Sequence, residues 1–304
     1  MAPKFRLGIN TGFAINRFPE PEEWVRVVGE FLGLRYVQFT ATLLSPSLPE
    51  NIIQAQVRRI KKSTSDYGVS IPHTFTDAYT QLSHLAHPDK EVRKYWIEWF
   101  KKFVDISAEL GAESMGSHMG IFSTRDIKDE KRRQFIFEEN LRGWAEISDH
   151  AKAAGIKYLT WEPMSVAREQ GETLAEAKRI HEAVNRATSI PMKICLDVDH
   201  GLKTSGNPDD INPYAWIKIF GRDLPILHIK QTYGAKGGPF PFTPQYNREG
   251  IVNPEKIIAA LEESGVEDCL LAFEISGPGR ESWESNLLDD IKVSVDYWRN
   301  YVKG

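Results

Sequence analysis

The sequence lacks the features of a membrane protein and of a secreted, disulfide-bonded protein. No run approaches the roughly 20 apolar residues that a membrane-spanning helix needs, and the N-terminal stretch MAPKFRLGIN lacks the apolar segment of a signal peptide. The chain has only two cysteines, Cys195 and Cys269, in or beside apolar segments, where thiols are usually reduced core residues. We therefore expect a cytoplasmic protein with no membrane partner.

An excess of basic residues is also absent. The formal net charge is −4, and charged residues make up 26% of the chain, as in an ordinary soluble protein. A broad nucleic-acid surface needs clustered Lys and Arg. The composition therefore predicts no nucleic-acid partner.

What the chain does have is a regular alternation of strand-like and helix-like segments. The alternation runs through all 304 residues without a break in composition. Eight strand–helix pairs predict an α/β protein with a single (β/α)8 TIM barrel and one catalytic domain over residues 1–304. The alternative is a doubly wound open sheet. It is disfavoured because no glycine fingerprint follows the first strand, where GINTG leads into FAINRFPE.

Each of the last four strand-like runs ends in a residue that can bind a metal ion. The runs are short and apolar, as expected of buried parallel strands. Because the carboxyl ends of barrel strands meet at one rim, we expect these side chains to form one divalent metal site. Three carboxylates and one imidazole suit Mn²⁺, Mg²⁺ or Co²⁺ better than a thiolate zinc site does, and we favour Mn²⁺ with Zn²⁺ left open. The four residues are Glu162 in KYLTWEPM, Asp197 in MKICLDVDH, His228 in ILHIKQT and Glu274 in LLAFEIS.

Polar residues also end the earlier runs. They are Asn10, Gln38, His73 and His118. Any one of them alone is most simply explained by hydrogen bonds to loop backbone or water. We keep His73 and His118 as candidate substrate-binding residues because they belong to the same predicted rim.

The two glutamates come from the fifth and eighth strands, nearly opposite each other on the ring. Glu162 and Glu274 could each bind the metal and exchange a proton with one face of a bound carbon. Bases on opposite faces can invert a stereocentre beside a carbonyl, through an enediolate that the metal stabilises. The arrangement therefore favours a 1,2-proton transfer or an epimerisation.

At these residues the chain resembles the xylose isomerase-like barrel superfamily, and within it the ketose 3-epimerases. The order WEP, DVDH, LHIK and AFE over the last four strands is their pattern. The resemblance implies that Glu162 and Glu274 are the acid/base pair as well as metal ligands, and that His200 holds a substrate oxygen beside the metal. Members of this superfamily are often dimers or tetramers, and the sequence itself shows no interface. The stretches CLDVDHG, HIKQ and GSHMGIFS are similar to the tetrulose-phosphate epimerase branch of erythritol and threitol breakdown.

Some residues at the edge of the predicted site differ from those of the free-sugar epimerases. Arg168 and Gly234 stand where those enzymes commonly carry a Glu and an Arg, and Lys230 lies two residues after the metal histidine. These cations favour an anionic sugar phosphate, since Arg suits phosphate binding. Alternatively, Arg168 pairs with Glu169 or Glu172, and Lys230 pairs with a barrel carboxylate. The loop 233–250 is predicted to cover the mouth of the barrel.

The sequence therefore predicts a metal-dependent epimerase that acts at C3 of a ketose, with a ketotetrose phosphate favoured as substrate. Two alternatives use the same metal site. One is an aldose–ketose isomerase acting on a free or branched sugar. The other is a lyase, a dehydratase or deglycosidase, acting on a keto sugar.

Overall fold

The computed structural model describes residues 4–275 and 285–302, and within them eight parallel strands close into one barrel. Neighbouring strands follow the order of the sequence, and β1 closes the ring by pairing with β8, with Leu7 opposite Leu271. The predicted (β/α)8 barrel is confirmed. The single domain over residues 1–304 stays a prediction, and residues 1–3, 276–284 and 303–304 lie outside the described part. The strands are β1 Lys4–Asn10, β2 Tyr36–Thr40, β3 Ser70–Phe75, β4 Ser114–His118, β5 Tyr158–Glu162, β6 Met192–Asp197, β7 Ile226–Ile229 and β8 Asp268–Phe273.

Helices connect the strands on the outside of the barrel, as parallel strand order requires. Several begin at a side chain that accepts a backbone N–H, such as Asp89 for α3 and Thr173 for α6. None of the described helices is long and apolar enough to cross a bilayer. The helices are α1 Pro21–Arg26, continued by a π-helical turn Val27–Phe31, α2 Glu50–Tyr67, α3 Lys90–Glu109, α4 Thr124–Lys128, α5 Glu130–Ala153, α6 Leu174–Ala187, α7 Pro213–Phe220, α8 Pro244–Asn247, α9 Pro254–Glu263 and α10 Leu287–Arg299.

The apolar core has two parts. The larger part contains residues of both the strands and the helices, such as Ile9, Val37 and Trp144. The smaller part lies inside the barrel, because three of its residues precede site residues by two positions and side chains two apart share a face. These three are Cys195, Ile226 and Ala272, which precede Asp197, His228 and Glu274. The inner part therefore forms an apolar floor beneath the carboxyl-end rim. It consists of Phe75, Cys195, Ile226, Leu270 and Ala272.

The two cysteines belong to different parts of this core. Cys195 lies in the inner cluster, whereas Cys269 lies in the larger one. Both are free thiols and both are fully buried, so the predicted pair of reduced core thiols is confirmed.

The long segment after β7 has structure of its own. Gln231 and Phe240 form an antiparallel bridge, and α8 follows within the same segment. The aromatic rings of Phe240 and Tyr246 stack at 4.6 Å between centroids, and Tyr233 packs beside Phe240 at 4.8 Å. The carboxylate of Asp199, just past β6, accepts the Thr232 hydroxyl and the Gly238 N–H, which attaches this segment to the rim.

Gly8 allows a close approach of strands inside the barrel, and this provides a test of the packing. A methyl group there would lie 2.6 Å from the carbonyl oxygen of Tyr36 and 2.7 Å from a methyl of Leu270. Because the backbone contact cannot be relieved by a rotamer change, Gly8→Ala should lower the free energy of unfolding by about 1–3 kcal/mol in urea titrations. Gly143→Ala on helix α5 is the matched control. Its methyl would meet the side chain of Leu85, at 3.2 Å or more, and the change should cost little. Equal stability of Gly8→Ala and wild type would contradict this packing.

Candidate metal centre and active site

Four side chains predicted from the sequence converge at the carboxyl-end rim. One ligand atom from each of them lies within 4.8 Å of the others. Glu162 ends β5, Asp197 ends β6, His228 lies in β7, and Glu274 follows β8 directly. The first three are buried, with 3%, 2% and 0% of their surface exposed, and Glu274 is half-buried. Parallel strands that end at one rim bring together residues that are far apart in the chain.

The ligand atoms point at one another. His228 Nδ1 lies 3.1 Å from Glu162 Oε1 and 3.3 Å from Glu274 Oε1. Asp197 Oδ1 accepts the backbone N–H of Asp199 at 2.7 Å, which turns Oδ2 toward the cluster. Asp197 Oδ2 is in ion-pair contact with Lys230 Nζ at 2.5 Å. A buried carboxylate oxygen that already faces a cation in this way is suited to bind a metal ion.

The charges of the cluster match a divalent cation. Glu162, Asp197 and Glu274 contribute three negative charges when ionised. Lys230 offsets one of them through its contacts with Asp197 Oδ2 and with Glu274 Oε2, the latter at 2.7 Å. With His228 neutral, as a metal-binding imidazole must be, two negative charges remain in the site, and such charges are stable only when they are compensated. The residues present therefore fit a divalent metal ion that prefers oxygen and imidazole ligands.

The two glutamates differ in their proton affinity. Burial acts to raise the pKa of Glu162, but the neighbouring His228 and His200 outweigh it, and the pKa lies well below its usual range. Burial also raises the pKa of Glu274, and here His228 and Lys230 do not cancel the effect, so the pKa stays above its usual range. Paired carboxyl groups whose pKa values are driven apart are typical of acid/base chemistry.

His228 is held between these acids. Burial alone would lower the pKa of His228, yet Cys195, Glu274 and Glu162 beside it raise the pKa well above its usual value. Asp197 is buried as well, but His200 and Lys230 hold its pKa below the usual range. The negative field that stabilises these cations in the free protein is the same field that would attract a metal ion.

Two further histidines predicted to bind substrate also border the cluster. His200 lies 3.4 Å from Asp197 Oδ2 through Nε2, and its Nδ1 donates to the carbonyl of Pro163 at 2.9 Å. His118 Nε2 lies 3.4 Å from Glu162 Oε2. Because Pro163 O can only accept, the proton of His200 sits on Nδ1, and Nε2 faces the site.

The remaining predicted substrate residues lie in three different settings. Lys230 is buried in the site and pairs with carboxylates, which is the second of the two alternatives that the sequence left open for it. Arg168 is exposed and donates to the carbonyl of Phe122 at 2.9 Å. His73 is buried deeper in the barrel, where its Nδ1 meets Ser114 Oγ at 2.7 Å. Burial lowers the pKa of His73 to about 3.

Sequence reasoning missed two residues that contact the site from the other side of the barrel. Gln38 Oε1 lies 2.7 Å from His228 Nε2, and Asn10 Nδ2 donates to the same oxygen at 2.9 Å. Both are polar residues at strand ends, which is the signal that the sequence offers for them, but it indicates no role. The contact of Gln38 with His228 depends on the closure of the barrel.

The sequence also matches known proteins over most of its length. The family model for the xylose isomerase-like TIM barrel matches residues 30–301. The chain belongs to the xylose isomerase-like TIM-barrel family. Within this family it is 38% identical over 297 residues to the D-erythrulose 1-phosphate 3-epimerase of Brucella abortus (strain 2308), covering 97% of this chain and 96% of that protein.

Solved structures of the family have the same fold. A structure from Rhodospirillum rubrum ATCC 11170, named after xylose isomerase, superposes with a TM-score of 0.88 at 25% identity, over 98% of this chain and 100% of that one. The D-psicose 3-epimerase of Clostridium cellulolyticum H10, solved with D-tagatose, superposes with a TM-score of 0.70 at 16% identity, over 98% and 100% of the two chains. At 16% identity the second likeness concerns the fold alone.

The role of Lys230 in balancing charge can be tested in the metal-free protein. Lys230→Met would leave the buried carboxylates of Asp197 and Glu274 without their ammonium partner. Removing one member of a buried ion pair typically costs about 3–5 kcal/mol. We therefore expect a loss near the lower end of that range in urea unfolding with EDTA present. Lys193→Met, which removes an ammonium 4.9 Å above the Tyr158 ring, is the control and should cost much less. Unchanged stability of Lys230→Met would contradict the charge balance.

Proposed function

We propose that this protein is a metal-dependent ketose 3-epimerase that acts on a ketotetrose phosphate. One observation carries the proposal. Two glutamates with oppositely shifted pKa values flank the imidazole of a site that fits a divalent cation. The 38% identity to a D-erythrulose 1-phosphate 3-epimerase over 97% of the chain supports the substrate class. A cytoplasmic location and a dimeric or tetrameric assembly remain predictions.

Glu162, Asp197, His228 and Glu274 would hold the metal ion. We propose Mn²⁺, with Mg²⁺, Co²⁺ and Zn²⁺ as alternatives. When bound, such an ion acts as a Lewis acid that polarises the substrate carbonyl and so makes the neighbouring C–H more acidic.

The two glutamates would move the proton. In one direction of the reaction, ionised Glu162 takes the proton from C3, and the electrons of the broken C–H bond enter the enediolate. Glu274, whose pKa is raised, then delivers its proton to C3 from the opposite face. The reaction is balanced without an oxidant, because one proton leaves C3 and one returns. The reverse direction exchanges the roles of the two carboxyl groups, which is consistent with a reversible epimerisation.

Other residues would bind and orient the substrate. His200 and His118 border the acids and can contact substrate oxygens. Arg168 uses one contact to the Phe122 carbonyl, and a guanidinium has five N–H donors, so donors remain for a phosphate at the rim. We therefore propose Arg168 for the phosphate. For Lys230, whose charge is matched by Asp197 and Glu274, we propose a role in holding these carboxylates.

The proposed proton transfer at C3 can be tested directly. Incubation with an erythrulose phosphate in D₂O and Mn²⁺ should place deuterium at C3, detected by NMR and mass spectrometry, because the returning proton comes from an exchangeable carboxyl. Glu162→Gln and Glu274→Gln should each reduce this exchange by about 10²–10⁴-fold, the usual contribution of a positioned acid or base. Glu172→Gln, at a half-buried glutamate outside the cluster, is the matched control.

The same experiment separates the competing functions. Deuterium at C1, the carbon on the other side of the carbonyl from C3, with an aldose as product, would favour an aldose–ketose isomerase. A product lighter by water would favour a lyase. The epimerase proposal fails if no deuterium enters at C3.

Removal of the metal provides a further test. Dialysis against EDTA should abolish the exchange, and added Mn²⁺ should restore it, because the carbonyl is no longer polarised without the cation. Mn²⁺ should also raise the melting temperature of the wild type, since binding to the folded state alone stabilises it. Asp197→Asn, which removes a buried ligand charge, should weaken both effects. Full activity in EDTA, with no metal retained by elemental analysis, would contradict a metal-dependent mechanism.

A further inference from the structure

We propose that Asn10 and Gln38 are positioning residues that fix the tautomer of His228, so that its Nδ1 is the atom that binds the metal. This inference rests on the metal site of the proposed function. It assigns a role to two residues on β1 and β2, which lie outside the four strands that supply the ligands.

A backbone N–H, which can act only as a donor, fixes the first hydrogen bond of the chain. The N–H of Gly12 donates to Asn10 Oδ1 at 2.7 Å. A backbone N–H can only donate, so this oxygen is correctly assigned, and the other end of the Asn10 amide must be the NH₂ group. That group donates to Gln38 at 2.9 Å. The atom of Gln38 that receives it must be an acceptor, which makes it the carbonyl oxygen Oε1.

The same oxygen then determines the state of His228. Gln38 Oε1 lies 2.7 Å from His228 Nε2. Because a carbonyl oxygen only accepts, Nε2 must carry a proton, and in a neutral imidazole the lone pair is then on Nδ1. Nδ1 is the nitrogen that faces the carboxylates of Glu162 and Glu274, at 3.1 and 3.3 Å. The chain of hydrogen bonds therefore aims the ligand lone pair into the cluster.

Burial makes this chain of hydrogen bonds effective. Asn10, Gln38 and His228 have 2%, 0% and 0% of their surface exposed, so bulk water does not offer competing partners. The other end of the Gln38 amide, Nε2, lies 3.6 Å from Cys195 Sγ, a weak acceptor, which agrees with the same orientation. Each amide thus has one favourable orientation.

The first test changes the acceptor. Gln38→Leu removes it and should raise the Kd for Mn²⁺ by about 10–100-fold, the usual effect of losing the hydrogen-bond partner of a metal-binding histidine. Gln38→Glu keeps an acceptor and should restore most of the affinity. Gln170→Leu removes another buried glutamine, whose amide donates to the Gly120 carbonyl at 2.7 Å, and serves as the control for lost stability. Kd is measured from the EPR signal of free Mn²⁺.

The second test reverses the donors and acceptors of the chain by a change at Asn10, which does not itself contact His228. Asn10→Asp replaces the donor toward Gln38 by an acceptor, so the Gln38 amide should turn over and present its NH₂ to His228 Nε2. Nδ1 would then carry the proton and bind metal poorly. The added negative charge alone would tighten Mn²⁺ binding, whereas the change of tautomer would weaken it. The two effects therefore change the Kd for Mn²⁺ in opposite directions.

Spectra of ¹⁵N-histidine-labelled protein loaded with diamagnetic Zn²⁺ report the tautomer directly. In the wild type, His228 should bind through Nδ1 with its proton on Nε2, and Gln38→Glu should keep this pattern. Ligation through Nε2 in the wild type would overturn the inference, as would unchanged Mn²⁺ affinity in both Gln38→Leu and Asn10→Asp. If the wild type binds no divalent cation, the metal site of the proposed function fails as well. If it binds through Nδ1 but the variants behave like wild type, only the role of Asn10 and Gln38 fails.

Discussion

Three carboxyl groups that converge at one rim of the barrel, two buried and one half-buried, are the constraint on which the rest of the site depends. Glu162, Asp197 and Glu274 approach one another closely where little water reaches them, and their mutual repulsion must be offset. Lys230 offsets part of the charge, and the imidazole of His228 lies between the two glutamates. A divalent cation would complete the balance. The proposed metal binding, the contrast in glutamate pKa values and the proposed acid/base chemistry therefore share one electrostatic origin.

The (β/α)8 barrel makes such a cluster compatible with a stable fold. The acids stand at strand ends, above an inner layer of apolar side chains that includes Ile226, Leu270 and Ala272. The charged groups of the site thus lie in the layer above this apolar one. The same geometry lets each acid come from a different strand, so that one carboxyl can act on each face of a substrate.

The fold and the convergence of the four candidate ligands could be predicted from the sequence because their signals are local. A strand-like run reveals its own carboxyl end, and every candidate ligand stands at such an end. His73 shows where this reasoning stops. On β3 it is Phe75, two residues further on, that packs edge-on against the rings of His118 and His228, at 5.5 and 5.6 Å. His73 lies one layer lower and faces Ser114. Which layer a strand residue occupies depends on strand stagger, which no single run encodes.

The role of Gln38 was hidden for a related reason. The pairing of β2 with β3 is irregular between Tyr36 and Gln38, so the direction of the Gln38 side chain does not follow from simple alternation. Its partner His228 is also 190 residues away in the sequence. Yet the structure defines the hydrogen bond between Gln38 and His228, because the backbone N–H of Gly12 sets the orientation of the Asn10 amide, which in turn sets that of the Gln38 amide. Residues that supply charge to a metal are visible as acids at strand ends. Residues that select which atom binds it are ordinary amides, and only the closed barrel shows which imidazole they control.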